Sequence, residues 1–141
     1  MRLIKNKTAV TPRYSDAGSA GMDIYVDTAV ELEIQPGQTW SAPTGIRVEI
    51  PKNCIGVVYP KPGMHKKGLI LAEGVRIINP GDRGELVIPL KNVISDVVRV
   101  NGRWGVKTPI GVLVIHQYRF EKVEVEENDP IDLLSQEKQS L

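Results

Sequence analysis

Apolar and polar residues alternate with a period of two along several short stretches of this chain. Val30, Leu32 and Ile34 interleave with Glu31 and Glu33, and Ile46, Val48 and Ile50 interleave with Arg47 and Glu49. Leu86, Ile88 and Leu90 repeat the rhythm after Gly84-Glu85. Successive side chains of a strand point to opposite faces, so each stretch predicts a strand with one buried and one wet side. Gln35-Pro36-Gly37-Gln38 separates the first two stretches and is a turn signal, because Pro fixes φ and Gly accepts positive φ. Asn101-Gly102, between Val97-Val98-Arg99-Val100 and Trp104-Gly105-Val106, predicts a tight hairpin. Val112 to Ile115 is apolar throughout, which predicts a strand covered on both faces. Only the tail departs from this pattern. There Asp129 as N-cap and Pro130 at the first position could open a short helix, the alternative being a frayed polar end. The expectation is an all-β barrel or sandwich of roughly ten short strands over residues 1–127, followed by a tail over 128–141.

Composition narrows the field. The 13 glycines and 10 prolines are spread along the 141 residues as turn punctuation, not bunched into a linker. Hydrophobic residues make up 41% and charged residues 25%, the balance of a globular domain and not of a disordered chain. Lys plus Arg is 18 against 17 for Asp plus Glu, a formal net charge of +1, so no nucleic-acid partner is expected. One cysteine, Cys54, excludes an internal disulfide and a structural zinc cluster. No apolar run is long enough to span a membrane, and the N-terminal residues lack the apolar core of a secretory signal, so a cytoplasmic location is expected.

Four segments between the strands hold residues able to do chemistry. In Asp16-Ala17-Gly18-Ser19-Ala20-Gly21-Met22-Asp23-Ile24-Tyr25, small residues permit close backbone approach, and the Asp23 carboxylate could hold a divalent cation directly or through water. Tyr59-Pro60-Lys61-Pro62-Gly63-Met64-His65-Lys66-Lys67-Gly68 gathers three lysines around a turn, as a phosphate chain would require, or as a solvated basic loop would show. Ile77-Ile78-Asn79-Pro80-Gly81-Asp82-Arg83-Gly84-Glu85-Leu86 packs an amide, a carboxylate and a guanidinium into one turn. Ile115-His116-Gln117-Tyr118-Arg119-Phe120 is a strand end dense in polar groups, where Gln117 can both donate and accept. Each alone also fits an ordinary surface loop or strand edge.

In order and spacing, however, the four segments resemble the motifs of the dUTPase family. Ala20-Gly21-Met22-Asp23-Ile24 is similar to its Ala-Gly-Tyr-Asp-Leu, and Pro60-Lys61-Pro62-Gly63-Met64 falls where the family has Pro-Arg-Ser-Gly-Leu. Ile78-Asn79-Pro80-Gly81-Asp82-Arg83-Gly84 lies on Ile-Asp-x-Asp-Tyr-Arg-Gly, and Ile115-His116-Gln117-Tyr118 resembles Ile-Ala-Gln-Leu. The resemblance covers about residues 8 to 126. It implies a jelly-roll subunit, or distorted β-barrel, in a homotrimer with sites between subunits. It also implies Mg²⁺-dependent hydrolysis of dUTP to dUMP and pyrophosphate. Carried over residue by residue, it puts Lys61, Gly63, Met64, Ile78, Asn79, Asp82 and Gln117 at the nucleotide, Asn79 and Asp82 at the catalytic positions, and Asp23 at the metal.

The chain departs from the pattern where chemistry is concentrated. Asn79 stands at the water-activating aspartate, and an amide can orient a water but cannot take its proton. Asp82 replaces the tyrosine that stacks under the sugar. Lys61 replaces a bidentate arginine with a point charge, and Pro62 replaces a serine. The glycine-rich arm of the family has no counterpart in residues 128–141. The related dCTP deaminases carry a catalytic glutamate in a Leu-Glu-Leu setting, where this chain has Ile88-Pro89-Leu90, and Pro89 predicts a sheet edge or bulge. The expectations are therefore a dUTPase-family hydrolase with weak, altered or absent activity, in which Asp82 would supply any carboxylate, or a catalytically silent trimer that binds nucleotide or protein. A purely structural β-barrel is the third.

Overall fold

In a computed structural model, residues 1–102, 107–128 and 130 are described. Among them are twelve strands and one short 3₁₀ turn: β1 (Arg2–Lys5), β2 (Arg13–Tyr14), β3 (Met22–Tyr25), β4 (Leu32–Ile34), β5 (Thr39–Pro43), β6 (Ile46–Glu49), β7 (Cys54–Pro60), the turn Met64–Lys67, β8 (Leu69–Leu71), β9 (Arg76–Ile78), β10 (Val87–Asn92), β11 (Val98–Val100) and β12 (Pro109–Gln117). A five-stranded sheet runs β2-β3-β12-β7-β9, a three-stranded sheet runs β5-β10-β8, and β1-β6 and β11-β4 form two-stranded ribbons. All ladders are antiparallel. The all-β jelly-roll expectation holds.

The second and third alternating stretches bury the faces expected of them, and the first does so only at Ile34. Ile34, Ile46, Val48, Ile50, Leu86, Ile88 and Leu90 all enter one core with Ile24, Val58, Val100, Ile110 and Leu113. Buried polar groups tie the layers together. Thr44 Oγ1 donates to the Leu86 carbonyl at 2.5 Å, and Asn92 Nδ2 donates to the carbonyls of Ile34 and Asp96, both at 2.8 Å. Gln35–Gln38 forms its turn, with Gln38 N donating to Gln35 O at 3.0 Å and Gly37 at φ 76°.

Five expectations need correction or lie out of reach. Val30 precedes β4 and is 62% exposed, because the pairing with β11 begins only at Leu32. Pro89 is at neither an edge nor a bulge: it sits in the middle strand of β5-β10-β8, opposite Ser41 in unbroken register. Its missing N–H is tolerated because the β8 ladder ends at Leu71, where the Pro89 carbonyl accepts from Ala72 N at 2.9 Å. Strand β12 is paired along both edges, but only Leu113 of Val112–Ile115 is fully buried, since Val112 and Val114 lie on the outer face of the sheet. Val98–Val100 pairs with β4, and Arg103, Trp104, Gly105 and Val106, the other half of the expected hairpin, lie outside the described residues, as do Asp129 and residues 131–141 of the expected tail helix.

Candidate functional site

The central strands distribute the four motif segments. Asp23 on β3 lies opposite Val112 on β12, and Val112 lies opposite Tyr59 on β7, so these three side chains share the outer face of the sheet. Gly21, just before β3, lies flat on that face: a Cβ there would collide with Val112 Cγ1 and come within 3.1 Å of the Leu113 carbonyl oxygen. That close approach explains the glycine before Met22-Asp23. Beyond Pro60 the chain turns, and Lys61 Nζ donates to Asp23 Oδ1 at 2.6 Å. The pair is shielded, with the two side chains only 30% and 16% exposed. The expected cation ligand and the expected phosphate ligand thus neutralise one another.

Gly63, in the left-handed region at φ 86°, leads into the 3₁₀ turn that carries His65, Lys66 and Lys67, all exposed. Met64 points the other way, into the core at 6% exposure. Cavities of about 520 Å³ and about 230 Å³ flank this turn, both lined by Lys61, Gly63, Met64 and Leu69. Thr108 and Pro109, at the start of β12, wall the smaller one.

The third segment follows β9. Asn79-Pro80-Gly81-Asp82 is a turn closed by two bonds, Asp82 N to Asn79 O at 3.1 Å and Asn79 N to the Asp82 carboxylate oxygen Oδ2 at 2.8 Å. Arg83 Nη1 donates to Pro80 O at 3.0 Å and braces the same turn. Both Asn79 and Asp82 are exposed, whereas the Ile78 side chain belongs to the core and can offer a ligand only its backbone. A cavity of about 320 Å³ opens beside the turn, lined in part by Arg76, Asp82, Arg83 and Glu85. Sequence reasoning passed over Arg76. Its Nη2 donates to Glu73 Oε1 at 2.8 Å and to Val87 O at 3.2 Å, joining β9 to β10 where no ladder connects them. Nothing local signals this contact, because its backbone partner is 11 residues away.

Register separates the segments into two groups. Gln117, exposed, pairs with Cys54 at one end of β7, and Ile78 pairs with Gly56, so the third and fourth segments share that end. Pro60, next to Lys61, pairs with Gly111 at the other end. Six residue steps along β12 take Gly111 to Gln117, about 20 Å at strand rise. One chain therefore brings Asp23 to Lys61 and Asn79 to Asp82, and holds the two pairs apart.

Among the described residues, no group of three or more His, Cys, Asp or Glu could cage a metal ion. The residues do not fit a protein-held Mg²⁺: the one carboxylate expected to face it, Asp23, is already held by an ammonium.

A dUTPase family profile matches residues 7–129. The chain is 32% identical over 127 residues to the deoxyuridine 5'-triphosphate nucleotidohydrolase of Neisseria meningitidis, covering 88% of this chain and 84% of that protein. It is 38% identical over 94 residues to that of Desulfitobacterium hafniense, but the match spans only 62% of that protein's length. Among solved structures, a point mutant of the Staphylococcus bacteriophage 80alpha dUTPase superposes with a TM-score of 0.75 over 92% of this chain and 97% of its own, at 20% identity. The Streptococcus mutans dUTPase does so with a TM-score of 0.69 over 86% and 98%, at 21% identity. The profile spans β2 to β12 and all four segments, and the chain belongs to the dUTPase family.

Proposed function

We propose that this chain binds a deoxynucleoside triphosphate, dUTP foremost, at sites completed between the subunits of a homotrimer, and that it does not turn the nucleotide over at a useful rate. The observation that carries the composite site is the separation of Asp23–Lys61 from Asn79–Asp82 and Gln117 at opposite ends of β7. Sugar and α-phosphate of one nucleotide are neighbours, so the ends that would hold them must come from different chains. The phage 80alpha dUTPase, similar over 94% of this chain, has been solved with dUpNHpp, which supports a nucleotide as the ligand.

The loss of turnover follows from the third segment. Hydrolysis to dUMP and pyrophosphate needs a group that takes a proton from the attacking water, and Asn79 has no such basicity. Asp82 is the only carboxylate in that turn, and one of its oxygens is committed to the Asn79 backbone N–H. Lys61 and the exposed Lys66 and Lys67 supply positive charge for phosphates, with Lys61 exchanging Asp23 for the ligand. Magnesium would arrive on the phosphates.

Calorimetric binding of dUTP and an assay of pyrophosphate release on the same samples test this reading. The expected result is binding without release, with Asn79→Asp gaining turnover on the order of a hundredfold, the low end of what a positioned general base contributes. Turnover by the unaltered chain that disappears in Asp82→Asn would replace this reading with a hydrolase whose base is Asp82. Absence of binding to every deoxynucleoside triphosphate would leave the structural β-barrel.

A further inference from the structure

Asn101-Gly102 is the one Asn-Gly step in the chain, and the nucleotide site does not use it. Asn101 is 4% exposed and adopts φ 57°, in the left-handed region. Its side chain is fully engaged. Nδ2 donates to Val26 O at 3.2 Å and to Thr28 O at 2.9 Å, and Oδ1 accepts from Thr108 N at 2.9 Å. Its backbone N–H donates to Thr108 Oγ1 at 2.7 Å. One amide therefore clamps the end of β3, the end of β11 and the start of β12.

We infer that Asn101 is a deamidation site latched by the fold, and that its conversion irreversibly destabilises this protein. The reaction needs only water. The Gly102 backbone nitrogen attacks Asn101 Cγ, forming a C–N bond as the Cγ–Nδ2 bond breaks. The Gly102 amide proton leaves with Nδ2 as ammonia, and water then opens the cyclic imide to aspartate or isoaspartate. Glycine carries no side chain to hinder ring closure, so the step is intrinsically fast at this pair. In the folded chain, swinging Cγ onto the Gly102 nitrogen breaks all three side-chain bonds. Each is worth about a five-fold population factor, so together they suppress the reactive geometry about a hundredfold.

The product cannot close the latch again. An aspartate would set a carboxylate oxygen, which only accepts, against the carbonyl oxygens of Val26 and Thr28 in a buried position. An isoaspartate would add a methylene to the backbone at the same place. Thr108 would then lose both of its bonds to residue 101. Thr108 and Pro109 wall the cavity beside Lys61, so the damage reaches the proposed phosphate region.

The test is incubation of the full chain at mildly alkaline pH, in buffer and in urea, with peptide mass mapping of the segment holding residues 101 and 102. Deamidation at Asn101 in buffer is expected about a hundredfold slower than in urea. Asn101→Asp, made directly, is expected to melt well below the parent, whereas Asn53→Asp, at an exposed left-handed asparagine, should not. Equal rates in buffer and urea, or an Asn101→Asp protein as stable as the parent, would overturn the inference. Should either variant fail to fold, the buffer-to-urea ratio of the unaltered chain still decides it.

Discussion

Replacing Asp23 by Asn isolates the contact that most alters the site. The substitution preserves shape and leaves Oδ1 as a neutral acceptor for Lys61, so only the charge is lost. The pair is short, 2.6 Å, and the side chains are 30% and 16% exposed. Fully exposed ion pairs contribute about 0–1 kcal/mol, and shielded charge-assisted bonds about 1.5–3 kcal/mol. Discounted for partial solvent screening, this pair is worth about 1.5 kcal/mol, roughly a factor of ten. Two consequences follow with opposite signs. The fold loses that contribution, a fall in Tm of about 3–8 °C for a domain of this size. Nucleotide binding no longer has to detach Lys61 from a competing anion, and a negative charge near the phosphates is gone, so Kd for dUTP falls about tenfold. Calorimetry with and without Mg²⁺, alongside a thermal melt, reads both effects. Weaker binding in Asp23→Asn, present with Mg²⁺ and absent without it, would refute the reasoning. It would mean that Asp23 turns to the cation when nucleotide arrives.

Two further substitutions test the frame that holds the site. Gly21→Ala places a methyl group against Val112 Cγ1 and the Leu113 backbone, so β3 must lift from β12; a loss of about 1–3 kcal/mol is expected in urea unfolding, with weakened nucleotide binding because Asp23 moves with it. Asn92→Ala removes the donors to Ile34 O and Asp96 O and the acceptor for Ile94 N, all inside or beside the core, and should cost about 3 kcal/mol in the same measurement.

What the sequence shows and what it hides divide along contact range. Strands β6 and β10 are legible because their inward residues recur every second position and meet one core. Strands β2 and β9 are not, since each is two or three residues long and Ile77 on β9 points outward at 53% exposure. Pro89 misleads for a related reason: a proline rule concerns a residue's own donor, and whether that donor is missed depends on where β8 stops. The motif positions themselves are local and readable. Their pairings are not, because Asp23 and Lys61 are 38 residues apart and meet only through the antiparallel register of β3, β12 and β7.

That register also bears on why several departures from the family pattern sit in one chain. Where the family pattern has an arginine and an aspartate, this chain has a lysine tied to Asp23 and an asparagine whose backbone is tied to Asp82. Both groups are satisfied within the same chain, so neither motif position holds an unpaired charge ready for a ligand. A site arranged for catalysis holds its charges unpaired until the transition state needs them, at a cost in stability. Here that tension is relaxed at both ends of β7. Reversing only one end should therefore recover only one half of the function: Asn79→Asp restores a base without improving phosphate capture, and Asp23→Asn frees Lys61 without supplying a base. Because one substitution acts on phosphate capture and the other on proton transfer, their effects on kcat/KM for pyrophosphate release should multiply.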